Sequence, residues 1–474
     1  MNVLFVASEG VPFSKSGGLG DVIGSLPIEL LKNGTDVRVI LPKYDSIPIH
    51  LKEKMHKKAE FYVQLGWRNQ YCGIEELEYR GVKFYFIDNE YYFKRDVLYG
   101  YYDEAERYAF FSKAVLEGLL YLEFDIDIIH CHDWHSGMIG FLLKTKYKDN
   151  PLYNKIKTVY TIHNLKFQGI YSKEIYEDFF EMEDKYYNSE ELEFNGCVNS
   201  MKGGLVFSDA ITTVSESYAL EIQYPFFGEG LDGVLRKRER DVFGIINGID
   251  YEEFNPSIDD RIYKTYDSEN IYFKKDNKEK LQKELGLEVN NNIPIIGIVS
   301  RLTDQKGMNL IECVLEELLN KEVQMIVLGT GDYKYESLFH YMSGKYPGKI
   351  SANIMFNEDL AHKIYAGADF LLMPSLFEPC GLSQLIALKY GTIPIVRETG
   401  GLRDTITPYN EFTGEGNGFS FANYNAHEML YTINRAIMFY NDKNILSTIR
   451  RAGMEKDFSW SSSAKKYIEL YNKL

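Results

Sequence analysis

The chain has 474 residues, 45% of them apolar and 26% charged. That composition excludes a globally disordered chain, and the length exceeds what one hydrophobic core serves, so two or three domains are expected. The 69 Asp and Glu outweigh 53 Lys and Arg, for a net charge of −16, which sets nucleic acid aside as a partner because such binders carry a basic face.

Five cysteines (Cys72, Cys131, Cys197, Cys313 and Cys380) lie far apart and form no C-x-x-C. A disulfide scaffold is therefore not expected, and a reducing, cytoplasmic setting is. In chain order, the first half carries short runs rich in Val and Ile: VLFVAS (3–8), DVRVIL (36–41), VKFYFI (82–87), IDIIHC (126–131), TVYTIH (158–163), AITTVS (210–215) and VFGII (242–246). The second half carries IPIIGIVS (293–300), VQMIVLG (323–329), KISANIMF (349–356), ADFLLMP (368–374) and GTIPIV (391–396). Most lack polar–apolar alternation, as strands do when helices cover both faces of a parallel sheet. Between them, RYAFFSKAVLEGLLYL (107–122) and MNLIECVLEELLN (308–320) repeat apolar residues at helical spacing. The alternation predicts βαβ units and doubly wound sheets.

Residues 60–95 break this pattern and predict a β-hairpin insertion. Asn247-Gly248 and Pro256 mark a seam, followed by polar sequence to position 292. Two α/β series thus flank a hinge candidate at 247–256, and a crevice between them is the expected ligand site. No apolar run approaches 18 residues, and the N-terminus has no basic lead, so neither a membrane span nor a signal peptide is expected.

Four stretches carry chemistry. SKSGGLGDVIGSLP (14–27) follows a strand and enters a helix. Gly17, Gly18 and Gly20 let a ligand approach the backbone, Lys15 adds charge, Asp21 is the expected N-cap, and Pro27 is a place for a kink. The stretch reads either as an anion cradle or as a plain tight turn with a solvated lysine; it is neither a G-x-G-x-x-G fingerprint nor a Walker loop. GIVSRLTDQKGMNLI (297–311) places Arg301 and Lys306 beside a helix start, as a phosphate grip or as a solvated pair. SLFEPCGLSQLIALKYGTIPIVRETGGLRDTI (375–406) offers Glu378 either to sugar hydroxyls or as a helix-start carboxylate favoured by the dipole. Cys380 and Gly381 are expected to open a helix, and N–H groups near Gly381 and Gly400 are expected to face phosphate. IIHCHDWHSGM (128–138) contains His130, His132, Asp133 and His135. Side chains leaving a strand for a helix are expected to diverge, which favours a sugar-facing loop with Asp133 as acceptor over a zinc site. His163 also ends a strand.

Together these segments resemble the bacterial glycogen synthases and plant starch synthases. The matching motifs are Lys15-Ser16-Gly17-Gly18-Leu19, His130-Cys131-His132-Asp133-Trp134-His135, Thr161-Ile162-His163-Asn164, the R-L-x-x-Q-K-G of residues 301–307, Glu378-Pro379-Cys380-Gly381-Leu382 and Thr399-Gly400-Gly401-Leu402. They fall in family order across nearly the whole chain. The resemblance implies the glycosyltransferase B architecture, two doubly wound Rossmann-like α/β domains facing across a cleft. It assigns 1–246 to an acceptor-side domain, 247–455 to a nucleotide-sugar domain, and 456–474 to a helix crossing back.

It further implies retaining transfer of glucose from ADP-glucose to the non-reducing end of an α-1,4-glucan, with no metal and no cofactor. Glu378, Lys306, Arg301, His163 and Asp133 take catalytic roles. Lys15, Gly17, Gly18, Cys380, Gly381, Leu382, Thr399, Gly400 and Gly401 take substrate-binding roles. Ile386 stands where many other retaining enzymes of this architecture have a second Glu, which agrees with the starch synthase group. A related transferase using UDP-glucose or a small acceptor, and a non-catalytic glucan binder, are the alternatives. No motif speaks to an oligomeric state.

Overall fold

Every residue of VLFV (3–6) is fully buried, which a strand achieves only when both of its faces are covered. In the computed structural model, which describes residues 1–474, this run is β1 (Asn2–Val6), the middle strand of a nine-stranded sheet. Leu4 and Val6 join an apolar cluster with Ile40, Tyr85 and Phe110. Val3 and Phe5, on the alternate face, join another with Val22, Leu26 and Val39.

The other strands of this unit are β2 (Asp36–Pro42), β3 (His56–Leu65), β4 (Arg68–Tyr79), β5 (Val82–Asp88), β6 (Ile128–His132), β7 (Lys157–Ile162), β8 (Ile170–Tyr171), β9 (Glu193–Phe194), β10 (Cys197–Asn199), β11 (Ala210–Thr213) and β12 (Val242–Gly244). The large sheet runs β12-β11-β7-β6-β1-β2-β5-β4-β3, and β8-β10-β9 form a small one. Pairing is parallel from β12 to β5; β4 and β3 then add antiparallel. The insertion in residues 60–95 is thus a pair of hairpins extending the sheet. Its second turn, Arg80 (φ 50°) and Gly81 (φ 83°), has the left-handed pair of a two-residue hairpin.

The helix Gly18–Lys32 starts one residue after Gly17, which is its N-cap; Asp21 lies in its first turn instead, and the helix continues through buried Pro27. The expected helix at 107–122 spans Glu104–Gly118, with a 3₁₀ turn after it. This unit comprises Met1–Gly248 together with Trp460–Leu474. The C-terminal helix Trp460–Tyr471 belongs to it because Trp460, Ala464, Tyr467, Leu470 and Tyr471 complete the cluster around Val3 and Phe5. Burying each large ring contributes about 2–3 kcal/mol.

The second unit is Ile249–Ser459. Its strands are β13 (Ile295–Val299), β14 (Gln324–Leu328), β15 (Ile350–Asn353), β16 (Phe370–Met373), β17 (Ile393–Arg397) and β18 (Phe419–Phe421), all parallel in the order β15-β14-β13-β16-β17-β18. That is the doubly wound 3-2-1-4-5-6 order, whose direction reverses between β13 and β16. In the first unit the reversal falls between β1 and β6. Parallel sheets gather ligands at the carboxyl ends of the strands flanking such a reversal. No helix is long and apolar enough to cross a membrane.

Candidate active site

In Ile249–Ser459, residues 301–307 follow β13 and residues 374–382 follow β16, so the reversal brings two of the motifs together. Lys306 Nζ lies 2.6 Å from Glu378 Oε2, and Ser375 Oγ donates to the same oxygen at 3.0 Å. Glu378 is 5% exposed, so its charge is balanced by one ammonium and one hydroxyl rather than by water. Arg301 is exposed and makes no ion pair, which leaves a guanidinium fork free for an anion.

The loops carrying these groups are held from below. Leu376 N–H donates to Gln305 O at 2.8 Å. Arg397, at the end of β17, donates Nε–H to Ser375 O at 2.8 Å and Nη2–H to Leu376 O. Tyr335 and Tyr424 donate to Asp304. Gly307 (φ +76°) fits because a β-carbon there would lie 2.1 Å from Pro374 O; one at Gly400 (φ +44°) would lie 2.0 Å from Glu378 O. The T-G-G-L turn therefore packs against the back of the E-P-C-G loop.

Two expectations change here. The helix after Gly381 is Ser383–Lys389 with Leu382 at its N-cap, so Cys380 and Gly381 precede it rather than open it. Gly401 N–H is taken by Glu378 O and Pro379 O, at 3.1 and 3.2 Å. It braces the loop and does not face phosphate. Thr399 is the N-cap of the short helix Gly400–Thr405.

In the first unit, residues 7–17 follow β1 and Asp133 follows β6. The expected anion cradle is already filled by the protein's own carboxylate. Glu9 Oε2 accepts from Ser16 N–H (2.7 Å) and Ser16 Oγ (2.6 Å), and Oε1 accepts from Gly17 N–H (3.2 Å) and Gly20 N–H (3.1 Å). Burial raises the Glu9 pKa, against the pull of these donors. Lys15 Nζ pairs with Asp21 Oδ1 at 2.8 Å. Gly18 stays open: a β-carbon there would meet nothing within 4 Å.

The expected divergence holds for His135 but not for His130 and His132. His130 and His132, two apart on β6, share a face and stack with ring centroids 4.2 Å apart. His132 Nδ1 lies 3.0 Å from His163 Nε2, at the end of β7. His135 turns away to Ser8 Oγ at 3.2 Å. Burial holds His163 and His135 down to about 3 and His132 well below its ordinary value, so all are neutral. Asp133 Oδ1 accepts from His163 N–H at 2.8 Å. Burial pushes its carboxyl up to about 7, opposed by the His163 and Asn164 N–H groups. Its backbone (φ 55°, ψ 179°) is in a region nearly reserved for glycine, strain of about 1–3 kcal/mol of the kind that clusters at functional sites. No group of three or more His, Cys, Asp and Glu side chains is arranged to hold a metal ion.

Glu9, Ser375 and Arg397 are not among the residues the motifs point to, whereas His132 is, as a member of the histidine cluster. Glu9 carries a signal, an acid three residues past a buried strand and just before a glycine turn; Ser375 lies close in sequence to the Glu378 it donates to, and Arg397 acts on carbonyls of a neighbouring strand's loop.

Two doubly wound α/β units, each with its chemistry at a carboxyl-end strand reversal, define the B class of glycosyltransferase. Residues 2–237 match the starch synthase catalytic domain and residues 277–449 the group 1 glycosyl transferases. The chain is 56% identical over 474 residues to a glycogen synthase of Bacillus cereus, covering all of both chains. It is 57% identical to one of Desulforamulus reducens, covering 100% of this chain and 99% of that one. Its structure is similar to the catalytic domain of starch synthase IV from Arabidopsis thaliana bound to ADP and acarbose, with TM-score 0.92, 31% identity, and coverage of 99% of this chain and 98% of that one. The chain belongs to the glycogen and starch synthase family.

Proposed function

We propose that this enzyme elongates glycogen, transferring glucose from ADP-glucose to the non-reducing end of an α-1,4-glucan with retention of anomeric configuration. The observation that carries the reading is the end-to-end 56% identity to a glycogen synthase. The ADP and acarbose held by the starch synthase relative support the same pair of ligand chemistries, a nucleoside diphosphate and an oligosaccharide. Five free cysteines support a cytoplasmic setting.

Residues 247–455 are assigned the nucleotide sugar, and residues 1–246, with the helix-bearing segment 456–474, the glucan. Transfer develops positive charge on the sugar ring and negative charge on the departing diphosphate. Arg301 and Lys306 are the fixed cations for that diphosphate, preorganised by the loop contacts above. Glu378 accepts from glucose hydroxyls, with Cys380, Gly381 and Leu382 alongside and Thr399, Gly400 and Gly401 bracing the loop. Asp133 and His163 line the sugar from the first unit, and Lys15 with Gly17 and Gly18 contacts the donor. No side chain is assigned as general base; the departing phosphate takes the acceptor proton.

The test is nucleotide release with ADP-glucose or UDP-glucose, each against glycogen or a simple sugar, with EDTA present. ADP release that requires glycogen and survives EDTA is expected. Equal UDP release would overturn the donor assignment, and glucan binding without nucleotide release would overturn catalysis.

A further inference from the structure

His132 is fully buried. One ring face meets His130 at 4.2 Å and the Phe5 ring lies 5.0 Å away. Its two nitrogens have unequal surroundings. Nδ1 is 3.0 Å from His163 Nε2, whereas Nε2 has no hydrogen-bond partner. One proton lies between the two rings, and a neutral imidazole has one more nitrogen to leave bare. If His163 were the donor, His132 would carry its proton on Nε2, an N–H buried with nothing to accept it. Orphaned buried N–H groups are the rarest of unsatisfied groups. If His132 is the donor, its Nε2 is only a lone pair against an aromatic wall.

We propose that His132 is a positioning residue that fixes the tautomer of His163. His132 donates Nδ1–H to His163 Nε2, so His163 carries its own proton on Nδ1 and presents an N–H donor, not a bare lone pair, to a sugar oxygen. His163 is half-buried, and its Nδ1 has no partner in the protein. The ring cannot swing to exchange its nitrogens without breaking the His132 contact, and its main chain is tied to Asp133. A second neutral imidazole is suited to this task. A carboxylate behind His163 would also fix its orientation but would favour the imidazolium and change the charge facing the sugar. The tautomer assignment stands on the His132–His163 geometry; only its consequence for catalysis rests on His163 lining the sugar site.

The experiment is long-range ¹H–¹⁵N NMR of enzyme labelled in its imidazole nitrogens, with His163 identified by loss of its signals in His163→Gln. The chain has 9 His, so the signals are few. Wild-type His163 is expected as Nδ1–H. His132→Leu removes the donor: His163 shifts toward Nε2–H and kcat falls about 10-fold or more, as when an outer partner of a histidine is lost. His132→Asn, whose amide N–H can stand near Nδ1, recovers the Nδ1–H tautomer and most of kcat. Wild-type His163 protonated at Nε2 would overturn the proposal, as would equal loss of activity in Leu and Asn variants with an unchanged tautomer. A His163→Ala enzyme of normal rate would overturn the site assignment while leaving the tautomer result standing.

Discussion

The two units solve the same topological problem with opposite electrostatics. In Ile249–Ser459 the strand-end loops present Lys306 bonded to Glu378 and an Arg301 with no counter-charge. In the first unit the charges after β1 are answered internally and the nearby histidines carry none: Glu9 fills the helix N-terminus, Asp21 pairs with Lys15, and burial keeps His163 neutral. A departing diphosphate needs uncompensated cations, whereas a sugar needs hydrogen-bond donors and acceptors held in fixed directions. The contrast supports the proposed reading, in which Arg301 and Lys306 of the second unit meet the diphosphate while Asp133 and His163 of the first join Glu378 in reading the sugar.

The largest expected effect separates two lysines. Lys306→Ala should lower kcat about 10²- to 10³-fold, the usual effect of removing a group that meets charge developing in the transition state. Lys15→Ala should lower kcat/KM only about 5- to 10-fold, because an exposed, already paired cation contributes on the order of 1 kcal/mol. ADP release measured on both, with circular dichroism to confirm folding, tests the contrast. Equal losses would break it.

Next in size is Asp133. Its carboxyl is pushed up to about 7 by burial, so it is largely neutral below that pH and charged above it. As a hydroxyl acceptor it works better charged, so activity should fall as pH drops through about 7. Asp133→Asn should lower activity about 10-fold by removing that charged acceptor and abolish this acid limb. Stability has the opposite sign. A raised carboxyl pKa stabilises the fold below its unfolded value, near 3.8, and that contribution is lost as pH rises through about 7. Asp133→Asn, uncharged throughout, should therefore be more stable than wild type at pH 8, by about 1–3 kcal/mol, and not at pH 4. A pH–rate profile unaltered by the substitution would remove the charged acceptor from the sugar-reading side.

Twelve apolar runs were enough to read the parallel sheets, because fully buried strands announce themselves by the lack of alternation. β18 escaped because Phe-Ser-Phe is three residues long, and the β8-β10-β9 sheet because its strands are two or three. The motifs located the strand-end loops, since glycine and charge stand out after an apolar run. What each group touches was less legible. H-x-H on a strand puts both rings on one face by its period of two, which was available from the spacing; the His163 contact comes from β7 lying beside β6, which was not. Arg397 reads as the end of a strand, and its work on Ser375 and Leu376 depends on neighbouring strands that only the tertiary order brings together.

The smallest expected effect is the sharpest test of which side takes the diphosphate. Glu9→Gln keeps the shape but replaces one acceptor oxygen with an NH₂ facing donors. Hydrogen bonds to a charged group contribute about 1.5–3 kcal/mol each, but residues 15–18 are exposed and water recovers part of the loss. The outcome should be a donor KM raised about 3- to 5-fold with kcat within about 2-fold, and a lower melting temperature. In Glu9→Ala, added formate should enter the vacated space and bring KM back toward wild type, because the N–H groups of Gly17 and Gly20 are waiting for a carboxylate. If Glu9→Ala instead binds the donor more tightly, and formate competes with it, the helix N-terminus is a phosphate site that Glu9 obstructs. Phosphate binding would then not belong to the second unit alone, and the neutral balance of the first would be an effect of Glu9.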